Sequence, residues 1–182
     1  MIQYCFPTIY WHFKVGKIEL DDLIDSCVSN NEWSCNVKTS RGVEYNWDGF
    51  LTHISPYFLQ LPYKKKGSIK FDTPWMNVYT NGCYQEPHHH VSSGNQLSYC
   101  YFLKLPVNSG KFGFMNENYR NYCLNDFNDF IDIDQPEWGY PDVKEGDLLI
   151  FPSFLIHQVT YQAVNKCRVT ISGNLKIGQV IE

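Results

Sequence analysis

Three consecutive histidines, His88, His89 and His90, follow Glu86 and Pro87 in the middle of the sequence. In an extended strand, side chains two residues apart leave the same face, about 6.6 Å apart at Cα, so His88 and His90 can converge on one metal ion. His89 would then point away. Neighbouring histidines also suit a polar loop without metal, so a third ligand is needed to choose between the two interpretations.

A histidine and an arginine lie close together further on, in the segment GDLLIFPSFLIHQVTYQAVNKCRVTIS. We expect a short turn near residues 162–166. If the flanking strands form a hairpin in which Val159 faces Arg168, then Arg168 lies on the face of His157, about 7 Å away, although the sequence does not fix that register. An organic acid fits this separation, with its keto end on a metal at His157 and its far carboxylate on the guanidinium. Thr170 would share that face and could donate a hydroxyl. A histidine at a strand end and an arginine on a rim are also common without any function.

The elements that must position these residues are short strands. From residue 69, segments of aromatic and β-branched residues alternate with turn residues, which is typical of a sandwich or barrel. No helical pattern separates the segments, so a parallel sheet is not expected, and we predict an eight-stranded jelly roll. The predicted strands are SIKF, WMNVYT, a stretch near the histidines, QLSYCYFLKL, KFGFMN, DLLIFP, HQVTYQ and RVTISGNLKI.

The first third of the sequence predicts a helical support for these strands. Apolar residues recur at near-helical spacing over about 18–29, with aspartates in the early turns, where a helix N-terminus favours negative charge. A second helix is predicted within 48–60, where Pro56 would fit only near the start or at a kink. We therefore predict one domain over 1–182, with residues 1–68 as support and 69–182 as the all-β catalytic core.

Composition excludes several classes of function. The 182 residues include 15 basic and 19 acidic side chains, for a net charge of −4, and the only basic run is at positions 64–66, so duplex nucleic acid is not an expected partner. The seven cysteines are scattered without a CxxC pair, which argues against a disulfide framework or a thiolate zinc site. No stretch approaches the roughly 18 apolar residues of a membrane span, and no signal peptide is visible, so we expect a soluble, cytoplasmic protein.

Residues 116–142 interrupt the predicted strands with Asn, Asp, Tyr and Pro, a composition that suits a long surface loop. Loops of this length in compact domains are often functional, and we interpret this one as a lid at the substrate mouth. Its acidic cluster at positions 126–134 does not predict a calcium loop, because the glycine and the distal glutamate of that motif are absent.

The segment that contains His88 and His90 and the segment that contains His157 and Arg168 together resemble the iron(II)/2-oxoglutarate-dependent oxygenases. The resemblance covers roughly residues 69–176. The first segment is similar to the metal-binding strand of the prolyl 4-hydroxylase branch, and the second to the same family's downstream signature. A strand resembling one in a bacterial and viral group of such oxygenases lies between them. The residues that carry the resemblance are Tyr79-x-x-Gly82-x5-His88-x-His90, then Leu97-Ser98-Tyr99-Cys100-Tyr101, then Gly146 to Ser153, His157 and Arg168-Val169-Thr170.

The resemblance implies a double-stranded β-helix that binds Fe(II), 2-oxoglutarate and O2. It implies oxidative decarboxylation to succinate and CO2, coupled to hydroxylation of a C–H bond in a small molecule or a protein residue. It also implies roles for named residues. The metal ligands would be His88, His90 and His157, and the co-substrate would be bound by Arg168, with help from Thr170, Tyr79 and Tyr101.

One position departs from the family pattern. Most members have Asp or Glu where this sequence has His90, so the three-histidine set would be neutral. Glu86 is the second choice for a ligand because it also lies two residues from His88, although Pro87 makes strict alternation uncertain. Two other classes stay open: a cupin-like dioxygenase that uses three histidines without 2-oxoglutarate, and a non-catalytic jelly-roll binding module.

Overall fold

The computed structural model describes residues 8–30, 35–64, 67–91, 94–124, 127–130 and 136–179. The strands in this part of the chain are β1 (Trp11–Lys14), β2 (Lys38–Thr39), β3 (Gly67–Phe71), β4 (Trp75–Tyr79), β5 (Gln85–His88), β6 (Leu97–Lys104), β7 (Phe112–Met115), β8 (Trp138–Gly139), β9 (Asp147–Pro152), β10 (His157–Val159) and β11 (Arg168–Gln179). The helices are α1 (Asp21–Asn30), α2 (Asp48–Phe58), α3 (Tyr119–Cys123) and α4 (Phe127–Phe130).

The strands form two antiparallel sheets. The larger sheet has the order β1-β9-β6-β11-β4-β2, with β3 also paired to β11, and the smaller sheet has the order β5-β10-β7-β8. Successive strands alternate between the two sheets over much of the chain, as in a double-stranded β-helix. The predicted jelly roll is confirmed, and each of the eight predicted strands is present. The structure adds three short strands, β1, β2 and β8, which lie at sheet edges.

Each face of the larger sheet covers its own apolar core, because side chains alternate along a strand. On β6, Tyr99 and Tyr101 belong to the outer core, where the sheet packs against α1 and α2. On the same strand, Cys100 and Phe102 belong to the inner core, which fills the space between the two sheets. On β11, Val169 belongs to the outer core. Its neighbours Arg168 and Thr170 therefore face the space between the two sheets.

The N-terminal helices support the larger sheet, as predicted. Helix α2 buries Phe50, Ile54 and Phe58, which lie four residues apart on one face. Pro56 lies in the last turn of α2 and not near its start. Proline has no N–H to donate to the carbonyl of Thr52. The hydroxyl of Ser55 lies 3.4 Å from that carbonyl oxygen and donates to it instead.

The insertion at 116–142 contains α3, α4 and β8, and β8 pairs with β7 at the edge of the smaller sheet. The backbone N–H of Asn116 donates to the carbonyl of Glu137 at 2.8 Å, which joins the two ends of the insertion. Positions 126, 132 and 134 of its acidic cluster lie outside the described residues, as do Lys65 and Lys66 of the basic run. The lid interpretation and the single-domain prediction remain predictions.

None of the helices in the described ranges has the length and apolar character needed to cross a membrane.

Candidate metal and co-substrate site

The three predicted histidine ligands come together at the edge between the two sheets. His88 ends β5 and His157 begins β10, and the two residues are direct partners in the register of these strands. The ring centroid of His90 lies 5.0 Å from that of His88 and 5.1 Å from that of His157. One ligand nitrogen from each residue lies within 4.8 Å of the others. Metal–nitrogen bonds of about 2.1 Å allow nitrogens up to about 4.2 Å apart, so small ring rotations would place all three on one ion.

Backbone carbonyls orient two of the three imidazoles. Nδ1 of His88 lies 2.8 Å from the carbonyl oxygen of Glu86, and Nδ1 of His157 lies 2.9 Å from that of Leu155. A carbonyl only accepts, so each Nδ1 carries the proton and each Nε2 keeps a free lone pair. Metal-binding histidines are oriented in this way. The ring of His90 makes no hydrogen bond to any residue that the structure describes, and packs 5.9 Å from the ring of Trp75.

Burial keeps these histidines neutral. Loss of solvent lowers the pKa of His88, and it lowers the pKa values of His90 and His157 to about 3. The mutual proximity of the rings contributes further, since a charge on His88 would disfavour a charge on either neighbour. Neutral imidazole is the form that binds a metal. His89, by contrast, is exposed, as expected from strand alternation.

A bulge in β5 decides the position of Glu86. His157 pairs with His88, but Val159 pairs with Gln85, so three steps along β5 oppose two steps along β10. Gln85 and His88 therefore both line the space between the sheets, although they are three residues apart. The Glu86 carboxylate accepts a hydrogen bond from the Gln85 amide at 2.6 Å, and the structure does not bring it into the histidine group.

Arg168 is fully buried between the sheets. None of its guanidinium nitrogens makes a hydrogen bond within the described part of the chain. Its Cζ lies 4.8 Å from the ring centroid of Tyr79, its cross-strand partner, and 5.6 Å from that of Phe102. A buried unpaired charge is costly, and an anionic ligand is one way to offset that cost.

The hairpin considered for His157 and Arg168 does not form. Strand β10 belongs to the smaller sheet, between β5 and β7, whereas β11 belongs to the larger sheet, between β6 and β4. The two residues still approach the same space, because each faces inward from its own sheet. His157 packs against Phe112 and Phe151, and Arg168 packs against Phe102, all of which belong to the inner core.

A cavity lies between the sheets at the histidines. Tyr79 and Thr170, both predicted to bind the co-substrate, line it. Polar residues that the sequence analysis did not single out line it as well, namely Asn77, Gln85, Cys100 and Ser172. Asn77 and Ser172 could have been identified from the sequence. Asn77 lies two residues from Tyr79, and Ser172 lies two residues from Thr170, so each shares a strand face with a predicted co-substrate residue. The buried side-chain oxygen of Asn77 has no hydrogen-bond partner among the described residues.

Tyr101 does not reach this cavity. Its hydroxyl donates to the carbonyl oxygen of Gly16 at 2.6 Å, and its ring packs 5.6 Å from that of Phe50 in the outer core. This position corrects the expectation that Tyr101 helps to bind the co-substrate. The physical reason is that side chains alternate along a strand, and Cys100 and Phe102 take the inward positions on β6.

Comparison with known proteins assigns the family. The profile of the family described as "Putative 2OG-Fe(II) oxygenase" matches residues 73–174, more than half of the chain. The chain therefore belongs to the 2-oxoglutarate- and Fe(II)-dependent oxygenases. This membership favours the oxygenase among the three classes left open by the sequence, with Fe(II), 2-oxoglutarate and O2 as its cofactor and co-substrates. A search of curated protein sequences found no match.

Solved structures share the fold at low sequence identity. A viral collagen prolyl hydroxylase from Paramecium bursaria Chlorella virus-1, solved with 2-oxoglutarate, is 13% identical with a TM-score of 0.60, over 91% of this chain and 94% of that one. HygX from Streptomyces hygroscopicus, solved with nickel, 2-oxoglutarate and hygromycin B, is 11% identical with a TM-score of 0.62, over 96% and 84%. An oxidoreductase of the 2OG-Fe(II) oxygenase family from Burkholderia pseudomallei is 11% identical with a TM-score of 0.53, over 74% of this chain. The alignment covers only 58% of that protein's length.

Proposed function

We propose that His88, His90 and His157 bind Fe(II) through their free nitrogens, that Arg168 binds the far carboxylate of 2-oxoglutarate, and that the enzyme hydroxylates a C–H bond of a small molecule or a peptide. The observation that carries this proposal is the buried guanidinium, which has no polar partner among the residues that the structure describes. Three neutral imidazoles at a cavity between the sheets and one buried cation against the same inner core match a ligand that chelates a metal at one end and is anionic at the other.

The surroundings of Arg168 fit a carboxylate. The planar fork of a guanidinium binds a carboxylate with two parallel hydrogen bonds, and the rings of Tyr79 and Phe102 pack near the guanidinium of Arg168. Burial raises the pKa of Tyr79, so its hydroxyl stays protonated and can donate. Thr170 lines the same cavity and offers a second hydroxyl donor.

Bound Fe(II) with 2-oxoglutarate supplies the dioxygen chemistry that yields succinate, CO2 and a hydroxylated product. The protein contributes position and exclusion of water. Three ligands from one side leave the remaining coordination positions open for 2-oxoglutarate and O2. Phe112 and Phe151 pack against His157 with ring centroids 5.5 and 4.9 Å away, which keeps the site apolar on that side.

A direct test compares 2-oxoglutarate binding in three proteins by calorimetry under argon, each loaded with Fe(II). Arg168→Met removes the charge but keeps an unbranched apolar side chain. We expect its affinity to fall about 100-fold or more, because breaking a buried charge pair costs about 3–5 kcal/mol. Lys111→Met is the matched control, since Lys111 is an exposed cation stacked on Tyr140 away from the histidines. Unchanged affinity in Arg168→Met would contradict the anchor assignment.

We further propose that residues 116–142 close over bound substrate. The insertion is joined to β7, whose Phe112 stacks on His157, so it starts next to the candidate metal site. Replacing residues 124–136 with a short Gly-Ser linker should then slow substrate hydroxylation more than the uncoupled decarboxylation of 2-oxoglutarate. Equal loss of both activities in a folded variant would contradict a lid.

A further inference from the structure

His90 is held differently from the other two candidate metal ligands. The rings of His88 and His157 are oriented by backbone carbonyls, whereas the ring of His90 has no hydrogen-bond partner in the described ranges. His90 also lies two residues beyond the end of β5, so no strand pairing fixes its backbone. Its backbone N–H donates instead to the carbonyl oxygen of Ser153 at 2.8 Å. The position of His90 therefore depends on the position of Ser153.

Ser153 joins three parts of the candidate metal site. It lies in the turn between β9 and β10, four residues before His157. Its backbone N–H donates to the carbonyl of Gln96 at 3.0 Å, just before β6, and its own carbonyl accepts from His90. The same turn contains Leu155, whose carbonyl orients the ring of His157. A shift of this turn would therefore move two of the three candidate ligands.

Two further side chains hold the hydroxyl of Ser153. Its Oγ lies 2.9 Å from Oγ of Ser98 on β6, and Oγ of Ser98 lies 2.8 Å from the side-chain oxygen of Asn174 on β11. An amide oxygen only accepts, so Ser98 donates to Asn174. A hydroxyl has one proton to donate, and Ser153 therefore donates to Ser98. The three side chains form a chain of hydrogen bonds with a single direction.

This chain of hydrogen bonds is anchored in the interior of the larger sheet. Ser98 and Asn174 are direct partners across β6 and β11, and each of these strands pairs with neighbours on both sides. Ser98 and Ser153 are each 1% exposed and Asn174 is 7% exposed, so water does not easily replace a lost partner. Loss of one buried hydroxyl leaves the group bonded to it unsatisfied, which costs more than the net value of the bond.

We propose that Ser98 and Ser153 are positioning residues for the metal site, and that the chain of hydrogen bonds from Ser153 through Ser98 to Asn174 holds His90 in the geometry that binds Fe(II). The inference rests on the proposed function, because it takes His90 as a metal ligand. The other two ligands are oriented at their rings, whereas His90 is positioned through its backbone by the carbonyl of Ser153. Groups that orient metal ligands affect metal affinity although they do not touch the metal.

The affinity of the metal-free protein for Fe(II), measured under argon by competition with a chromophoric chelator, tests this inference. Ser98→Ala removes the central hydroxyl and leaves the buried oxygen of Asn174 without its donor. We expect it to weaken Fe(II) binding about tenfold or more. Ser153→Ala should weaken binding by a smaller factor, because Ser98 can still donate to Asn174. Thr160→Val is the matched control, since it removes a hydroxyl that accepts from the Lys111 N–H at 2.8 Å, after the end of β10, and should leave Fe(II) binding unchanged.

Two measurements separate positioning from a general loss of stability. If the serines act through His90, then Ser98→Ala should have no further effect on Fe(II) affinity in a protein that already carries His90→Ala. The visible absorption bands of the protein saturated with Co(II) report the geometry of the ligands. These bands should shift in Ser98→Ala and match the wild type in Thr160→Val. A loss of stability alone would lower the midpoint of urea unfolding and leave both measurements unchanged.

Two results in a folded Ser98→Ala protein would overturn the inference: unchanged Fe(II) affinity, or an equal loss of affinity with and without His90→Ala. If Ser98→Ala does not fold, the same measurements on Ser153→Ala decide. His90→Ala itself separates this inference from the proposed function. Unchanged Fe(II) affinity in His90→Ala would overturn both, whereas weaker binding in His90→Ala without an effect of either serine would overturn only the positioning role.

Discussion

Arg168 and Tyr79 are direct partners across β11 and β4, and the guanidinium carbon of Arg168 lies 4.8 Å from the centre of the Tyr79 ring. The ring therefore covers part of the guanidinium, which is fully buried. A cation–π contact of this kind stabilises a desolvated charge by about 2 kcal/mol. That contribution does not satisfy the hydrogen-bond donors, which an acidic ligand would do.

The two tyrosines predicted to assist the co-substrate should separate in their effects. Tyr79→Phe removes a hydroxyl from the cavity, and we expect it to weaken 2-oxoglutarate binding about fivefold, the effect of one hydrogen bond of about 1 kcal/mol. Tyr101→Phe removes the donor to the Gly16 carbonyl, so it should lower the free energy of unfolding by about 1 kcal/mol and leave 2-oxoglutarate binding unchanged. Calorimetry and urea unfolding of both variants check this. Weaker 2-oxoglutarate binding in Tyr101→Phe, together with unchanged binding in Tyr79→Phe, would contradict the described strand faces.

His157 and His89 provide a matched pair for metal binding. His157→Ala should reduce bound Fe(II) after anaerobic dialysis to near the background of the protein without added iron, because it removes a ligand from the smaller sheet. His89→Ala should retain the metal content of the wild type, since His89 is exposed and points away from the group. Circular dichroism establishes that both variants are folded. Full metal content in His157→Ala would show that the histidine cluster is not the metal site.

Position 90 tests the neutral ligand set. His90→Asp should retain bound metal, because Asp offers an oxygen donor from the same position and gives the more common set of two histidines and one carboxylate. His90→Ala should bind Fe(II) at least tenfold more weakly. Glu86→Gln should have little effect, since the bulge in β5 directs Glu86 away from the histidines. Loss of metal in Glu86→Gln together with unchanged binding in His90→Ala would reverse the roles of these two residues.

Gly173 tests the packing of the outer core. A methyl group at this position would overlap the hydroxyl of Tyr99, and that ring is held between Phe58 and Phe71, with centroids 5.5 and 6.2 Å away. Gly173→Ala should therefore lower the free energy of unfolding by about 1–3 kcal/mol. Gly49→Ala, where a methyl group meets nothing within 4 Å, should be neutral or slightly stabilising in urea unfolding. Equal stability of the two variants would argue against the described packing.

The longer strands could be predicted from the sequence because their aromatic and β-branched residues set them apart from the turns. β2 and β8, of two residues each, carry too little pattern to detect, and β1 of four residues lies far from the predicted core in sequence. The candidate metal ligands were also predictable, because His88 and His90 are two residues apart and strand geometry fixes their common face.

Two features could not be predicted in the same way: the sheet to which a strand belongs, and the face of the sheet on which a given side chain lies. The segments around His157 and Arg168 have the local pattern of a hairpin, yet they belong to different sheets. That choice depends on long-range pairing with β5, β7, β4 and β6, which no local pattern records. The face of Tyr101 follows from its register with β11, and tyrosine is compatible with either face. The bulge that turns Glu86 aside likewise depends on the partner strand.

The most direct test of the central claim is the visible absorption spectrum of the protein with Fe(II), recorded under argon as 2-oxoglutarate is added. Chelation of Fe(II) by the keto acid at the three histidines should produce a metal-to-ligand charge-transfer band that saturates with 2-oxoglutarate. The band should be absent in His157→Ala, and in Arg168→Met it should require at least about 100-fold more 2-oxoglutarate. A wild-type protein that binds Fe(II) but develops no band, or a band that persists unchanged in Arg168→Met, would contradict the account.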